Sequence, residues 1–304
     1  MYEMDRQIFV DVIKPFLIDD TLPLINWLKE KKLISREKFC DGCNKNISWN
    51  KYSKGKHVFV WKCYTSGCSE YKKTVSIRHG TVFYNSKLSL QCFIQVIYYW
   101  CTDFSEVQAS NVLKISTRTI QELYGAFRLA CKTYFDENPI ILGGPGVIIQ
   151  IDEKCFSHKV KFHRGRGLKA PMWVFGLVDC STTPVMGYME VVERRDAATL
   201  MPIIERVVRS GSMIHSDQWK AYGKIASKEC YGHKTVNHKL HFVDPETGVH
   251  TQTIESYWNK HKHTIKKMNG CQRDSLASYL DEFMWKERNR GQKFMNFLEL
   301  LKHK

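Results

Sequence analysis

The chain has 304 residues, 43% of them hydrophobic and 25% charged, so a packed core can form and broad disorder is excluded. Forty-six lysines and arginines against 31 aspartates and glutamates leave a net charge of +15. Such a surplus favours a polyanionic partner, because each neutralised phosphate releases condensed counterions.

Residues 1 to about 36 read as short helices, with Ile8, Val10, Ile13, Phe16 and Leu17 on helical spacing and a break at Pro23. Asp5, Arg6 and Asp11 interrupt the apolar residues there, so no secretory signal is read. From Phe39 to about Tyr84 the texture changes to cysteines, glycines and β-formers such as Val58, Phe59, Val60 and Trp61. Two residues lie between Cys40 and Cys43, four between Cys63 and Cys68, and nineteen between the pairs. Two knuckle turns at such spacing can supply the four soft ligands of a tetrahedral Zn²⁺, with Gly42 and Gly67 relaxing the backbone just before each closing cysteine. The competing reading is four buried cysteines. His57 and His79 lie close enough to replace a ligand. Eleven cysteines in all, an odd number spread along the chain, argue against a disulfide framework and for a reducing, intracellular compartment.

Residues 87 to 135 return to helical periodicity. Their most apolar stretch, Cys92 to Cys101, is too short to span a bilayer, and no membrane contact is expected. Ser105-Glu-Val-Gln108 has the form of a capping box for a helix to about Leu113, and a second helix starts at Thr117. Val107, Ala109, Val112, Ile115 and Ile120 would pack the two helices at a steep angle, as in a helix-turn-helix. The second helix would then offer Arg118, Thr119 and Gln121 to DNA; an ordinary helical bundle is the alternative. The breaker cluster Asn138-Pro139 and Gly143-Gly144-Pro145-Gly146 marks the main boundary. The expected organisation is therefore N-terminal helices over 1–38, a zinc ribbon over 39–84, a helix-turn-helix-like region over 85–138 and an α/β domain over 146–304.

Beyond the boundary, strands are predicted over Val147–Ile151, Trp173–Val178, Val185–Val192 and Met213–Ser216, with helices over Asp196–Val208, Ile254–Ile265 and Ser275–Glu287. Three strands, a helix, a further strand and closing helices fit a ribonuclease H-like layout. Two-metal phosphoryl transfer needs hard oxygen ligands that converge from distant parts of a rigid frame. Asp152 sits in or at the end of the first apolar strand, where a carboxylate is costly without a cation. Asp217 follows the fourth strand, and Glu255 falls in the first turn of a helix with Thr253 as its expected N-cap. Lys262 lies two turns further on the same helix face. Competing acids have structural readings: Asp179 ends a strand, Glu153 adjoins Asp152, Asp196 caps a helix and Asp244 fits a turn.

The segments Ile151-Asp-Glu153, His215-Ser-Asp-Gln-Trp-Lys-Ala-Tyr222 and His250-Thr-Gln-Thr-Ile-Glu-Ser-Tyr-Trp258 resemble the three blocks of a DDE transposase. The resemblance is to the Merlin superfamily and its bacterial insertion-sequence relatives, and covers roughly residues 148 to 290. Sixty-four residues separate Asp152 from Asp217 and thirty-seven separate Asp217 from Glu255; Gln252 departs from the asparagine usual in those relatives. The resemblance implies two Mg²⁺ or Mn²⁺ ions held by Asp152, Asp217 and Glu255, with Lys262, and Lys260 or His261 beside it, on phosphates. One metal would activate a water that cuts the transposon end, and the freed 3′-hydroxyl would attack target DNA. Double-stranded DNA is the implied partner and a homodimer or higher the implied assembly, nuclear in a eukaryotic host and cytoplasmic in a bacterial one. The rival readings are a domesticated DNA-binding descendant without transposition, another ribonuclease H-like nuclease, and a structural zinc protein.

Overall fold

A computed structural model describes residues 7–17, 21–52, 59–156, 171–238, 240–268 and 270–303. His57 and Val58 lie outside these residues. Two compact units divide the chain, one of residues 1–126 with 289–304 and one of 127–288. The division does not follow the breaker cluster at 138–146. It falls inside a helix, and the C-terminal residues expected in the α/β domain group instead with the first unit. The reason is aromatic: the last helix, Lys293–Leu300, stacks Phe297 on Trp100 at 4.5 Å between ring centroids and sets Phe294 edge-on to Tyr98.

In the first unit, α1 (Leu22–Glu30) buries Leu24, Ile25 and Leu28. Pro23 opens this helix rather than breaking it, because its missing N–H falls in the first turn, where no intrahelical acceptor is available anyway. Strands β1 (Ser48–Lys51), β2 (Phe59–Lys62) and β3 (Thr74–Ser76) form an antiparallel sheet in that order. Lys29 Nζ lies 3.5 Å above the Trp49 ring, fixing α1 against the sheet by a cation–π contact. Helix α2 (Leu90–Cys101) is capped by the Ser89 hydroxyl. The capping box forms as expected on α3 (Glu106–Leu113), from Ser105 and Gln108, and α4 (Thr117–Glu137) follows. Ala109 and Ile120 are fully buried, but Val107 and Val112 are 59% and 54% exposed, so the face of α3 that carries them is turned outward rather than packed.

The second unit is built on five strands, β4 (Ile148–Cys155), β5 (Trp173–Asp179), β6 (Met186–Val192), β7 (Met213–Asp217) and β8 (Gly232–Val236). Their order is β6-β5-β4-β7-β8, antiparallel through the first three and parallel from β4 to β8. The chain is thus a mixed α/β protein. Helix α5 (Ala197–Val207) is capped by Asp196, whose carboxylate accepts from Thr199 N at 2.9 Å. Helix α6 (Gln252–Lys267) packs on β4 and β5, and α7 (Leu276–Arg288) on β6. Ile149, Ile151, Val174, Leu177, Leu200, Ile204, Ile214 and Ile254 fill the core.

Helix α6 is tied to α7 by charge. Glu287 accepts from Tyr257 Oη at 2.8 Å and pairs with Lys260 and His261. Burial alone would raise its carboxyl, but His261 and Lys260 outweigh that and hold it down to about 2. A folded-state value below the ordinary 4.5 means the stabilisation is complete above about 4.5 and is lost as pH falls toward 2. Glu287→Gln is therefore expected to flatten the acid limb of the stability curve, read as melting temperature from pH 6 down to about 2. An unchanged limb would assign acid unfolding to other carboxylates.

Candidate active site

Side chains alternate across a strand, so Gln150 and Asp152 leave one face of β4 while Ile149, Ile151 and Glu153 leave the other. The first face meets α6. Gln150 Oε1 accepts from Ile254 N at 3.1 Å, and Asp152 Oδ2 accepts from Trp258 Nε1 at 3.0 Å. The expected N-cap, Thr253, lies inside the helix. Thr251 occupies the cap position without a side-chain cap bond, and Gln150 satisfies the third amide from across the sheet.

Two glycines let α6 approach. Gly176 pairs with Asp152 across β4 and β5, and a Cβ on it would lie 2.4 Å from the Trp258 ring. A Cβ on Gly187 would lie 2.5 Å from the Tyr257 ring. Trp258 is fully buried and has nowhere to retreat. Gly176→Ala is expected to destabilise the protein by about 1–3 kcal/mol through overpacking and to push the indole off Asp152. A urea midpoint equal to that of the native chain would show that the ring can shift freely.

Asp217 ends β7, and its Oδ1 accepts from Trp219 N at 2.9 Å. Strands β4 and β7 are parallel neighbours with Gln150 opposite His215, which sets Asp152 and Asp217 two residues beyond that pair on adjacent strands. Burial first, and Asp217 after it, push the Asp152 carboxyl up to about 6. Glu153, whose Oε2 accepts from Tyr222 Oη at 2.7 Å on the opposite face, is pushed up to about 7 by burial, with Asp152 and Asp217 adding to it. Its other oxygen is buried with no hydrogen-bond partner in the structure. Asp152, whose charged form burial disfavours, and Asp217 on the neighbouring strand are hard oxygen donors of the kind a divalent cation takes.

Glu255 lies in the first turn of α6, one turn before Trp258. Its carboxylate turns toward Thr251 Oγ1 at 3.5 Å and His238 Nε2 at 3.9 Å, and does not close on the two aspartates. The structure therefore sets Asp152 and Asp217 on adjacent strands, leaves Glu153 on the opposite face of β4, and holds Glu255 on the helix that bonds Asp152. Lys262 is half-buried, 5.8 Å from the Phe156 ring centre, and burial lowers its pKa, with Lys154 adding to the effect. Lys260 is engaged by Glu287 and His261 is buried, so neither offers a free cation to phosphate. Asp179 holds a turn through Gly143 N and Ser181 N, as does Asp244 through Thr247 N.

In the first unit the sulfurs of Cys40, Cys43, Cys63 and Cys68 all lie within 4.8 Å of one another, the one such cluster among the described residues. Cys40 and Cys68 are 3.6 Å apart, and Cys43 and Cys63 3.8 Å. A tetrahedron with Zn–S bonds of about 2.3 Å has edges of about 3.8 Å. A backbone N–H from Lys45 draws the Cys43 thiol down to about 6, toward the thiolate that binds metal. His79 packs edge-on to Tyr84. On α4, Arg118 and Gln121 are exposed; Arg118 pairs with Glu122 at 3.0 Å, and Thr119 is bonded to Ser116.

Residues 142–288 match the family model of the ISXO2-like transposase domain. An uncharacterized transposase-like protein of Haemophilus influenzae is 30% identical over 102 residues, 34% of this chain and 80% of that protein. The chain belongs to this transposase family. Among solved structures, the simian T-cell lymphotropic virus intasome in complex with PP2A regulatory subunit B56 gamma gives a TM-score of 0.29 at 16% identity, covering 47% of this chain and 50% of that one. This transposase-family chain thus spans half the length of that relative. The pre-cleavage Mos1 transpososome gives 0.26 at 10% identity, over 65% of this chain and 71% of that one. The Mos1 strand transfer complex gives 0.20 at 9%, over 64% and 74%. The matched segment 142–288 contains Asp152, Glu153, Asp217 and Glu255. Reading the sequence alone passed over Glu153 as a mere neighbour of Asp152; its contact with Tyr222 spans 69 positions and leaves no local signal.

Proposed function

We propose that this chain is a DDE transposase that cleaves DNA at terminal inverted repeats and joins the freed ends to target DNA, on a ribonuclease H-like sheet of the kind found in the Merlin superfamily. The observation that carries the reading is the pair Asp152 and Asp217 on adjacent strands, with Asp152 held by Trp258 of the helix that carries Glu255. Asp152, Asp217 and Glu255 would hold two Mg²⁺ or Mn²⁺ ions. Bound there, the metals supply an attacking water of lowered pKa and stabilise the leaving 3′ oxygen.

Trp258 orients the Asp152 carboxylate by its N–H, and Gln150 fixes the helix that carries Glu255. Lys262 adds a positive charge on the same helix. The four cysteines would hold one Zn²⁺ as a structural ion, and Arg118, Thr119 and Gln121 on α4 would meet DNA bases. Pairing two DNA ends calls for a dimer or higher assembly, in the cytoplasm of a bacterial host or the nucleus of a eukaryotic one.

The experiment incubates the protein with duplexes carrying the inverted repeats that flank its gene, in Mg²⁺, Mn²⁺ or Ca²⁺, and resolves nicked and joined products. Mg²⁺-dependent 3′ ends and joined products are expected. Tight, sequence-specific binding without cleavage in any metal would instead identify a DNA-binding descendant that no longer transposes.

A further inference from the structure

We propose that Arg195 is a preformed phosphodiester-binding residue at the rim of the acidic site, held open by two tryptophans. The inference rests on the reading of this chain as a DNA-cutting enzyme. Arg195 immediately precedes Asp196, the N-cap of α5. Its guanidinium carbon lies 3.7 Å from the Trp173 ring centre and 5.1 Å from that of Trp219. The backbone is locked as well, because Trp219 Nε1 donates to the carbonyl oxygen of Arg195 at 3.0 Å. The same Trp219 donates its backbone N–H to Asp217 Oδ1 at 2.9 Å, so the clamp and the acid share one residue.

Arginine can be ordered in two ways, by an anion along its edge or by rings across its faces. Several arginines of this chain use the edge, even where a ring also lies near, as for Arg206 beside Tyr188 and Arg128 beside Tyr279. Arg118 pairs with Glu122, Arg206 with Glu190, and Arg78 donates to the carbonyls of Ser86 and Leu88. Arg195 is flanked by two rings, and among the described residues its guanidinium enters no ion pair and donates no hydrogen bond.

Stacking occupies the faces and leaves the in-plane N–H fork free, the geometry that meets a phosphate with two parallel bonds. It also removes side-chain freedom before any ligand arrives, so less is lost on binding. Trp219 links the two, since its indole N–H bonds the Arg195 carbonyl and its backbone N–H bonds Asp217. A strongly basic neighbour kept unneutralised beside clustered acids suits a ligand that brings its own negative charge. The ligand is a phosphodiester of the bound strand. Sequence places the two tryptophans 46 positions apart, and only the sheet brings them to one arginine.

The test measures anisotropy binding of terminal-repeat duplexes to the full chain in Ca²⁺, with one phosphate at a time replaced by a neutral methylphosphonate across the cleavage region. The native protein is expected to lose about tenfold in affinity at one phosphate, the size of one charge-assisted contact. Arg195→Ala should bind unmodified DNA about tenfold more weakly, with a salt slope lower by about one, and show no further loss at that phosphate. Arg195→Lys, which keeps the charge without the stack or fork, should fall between. Trp219→Ala should weaken that phosphate alone, and Trp219→Phe, which keeps a ring but loses the indole N–H, should fall between it and the native protein. If Arg195→Ala keeps the native affinity and the full methylphosphonate profile, the inference is overturned while the enzyme reading stands. If the native protein shows no phosphate penalty anywhere, both fall together.

Discussion

Replacing Asp152 or Asp217 by asparagine is expected to remove metal-dependent DNA cleavage, and Asp152→Asn to make the metal-free protein more stable above pH 6. The two effects have one cause. Asp152 is pushed up to about 6 from an ordinary 3.8, first by burial and then by Asp217, so folding disfavours its charged form. For a carboxyl whose folded value is raised, stability falls as pH climbs from about 4 through 6, and the penalty is complete above it. Asparagine keeps an oxygen to accept from Trp258 Nε1 and carries no charge. The metal-free variant should therefore melt at a higher temperature at pH 8. Mg²⁺ or Mn²⁺ should then raise the melting temperature of the native chain and not that of Asp152→Asn. Loss of an outer partner of a metal ligand already costs 10–100-fold, so loss of the ligand itself should leave less than about one part in a hundred of the cleavage rate. Glu255→Gln should do the same to activity with a smaller effect on stability, because its side chain is 43% exposed. Asp179→Asn, at a turn, should cleave normally. A variant of Asp152 that still cut DNA at a tenth of the native rate would remove it from the site.

The second large effect concerns the cysteine cluster. Fresh protein should carry about one zinc per chain, and stripping it, or introducing Cys43→Ser or Cys63→Ser, should unfold β1 to β3. Among the described residues the strands are short and few side chains in this region are buried, among them Ile47, Val60, Trp61 and Ile77. Structural zinc supplies on the order of 10 kcal/mol or more to such modules, and a four-residue strand cannot replace it. Metal analysis gives the stoichiometry, and circular dichroism before and after chelation gives the structure. The second unit should keep its own thermal transition. Zinc-free protein that binds DNA undiminished and retains the sheet would show the four thiols to be a packed cluster and nothing more.

What could be read from the residues was local. The capping box at Ser105, the cap at Asp196, the cysteine pairs and the apolar runs of β4, β5 and β7 each declare themselves within a few positions. The strand positions of Asp152 and Asp217 were legible because each sits in or just after an apolar run. Strand β8 was not, since of Gly232 to Val236 only Val236 is buried and a mostly polar sheet edge carries no alternation. Contacts across the chain were equally hidden. Gln150 caps a helix 104 positions away, Gly176 is bare to admit Trp258, and the last helix follows Trp100 rather than the α/β sheet. Val107 and Val112 show the opposite error, apolar residues on helical spacing that face outward.

The seating of α6 also bears on time. Two adjacent rings, Tyr257 and Trp258, sit where Gly187 and Gly176 leave no room for a methyl group, and the first turn is clamped by Gln150. Lifting the helix requires withdrawing both rings at once, so its central amides should exchange with deuterium only through complete unfolding of the unit. Glu255 then rides on one of the slowest-moving segments of the chain. Adjustment during turnover falls to the connection between β8 and α6, where Leu240 and Phe242 stand 70% and 74% exposed.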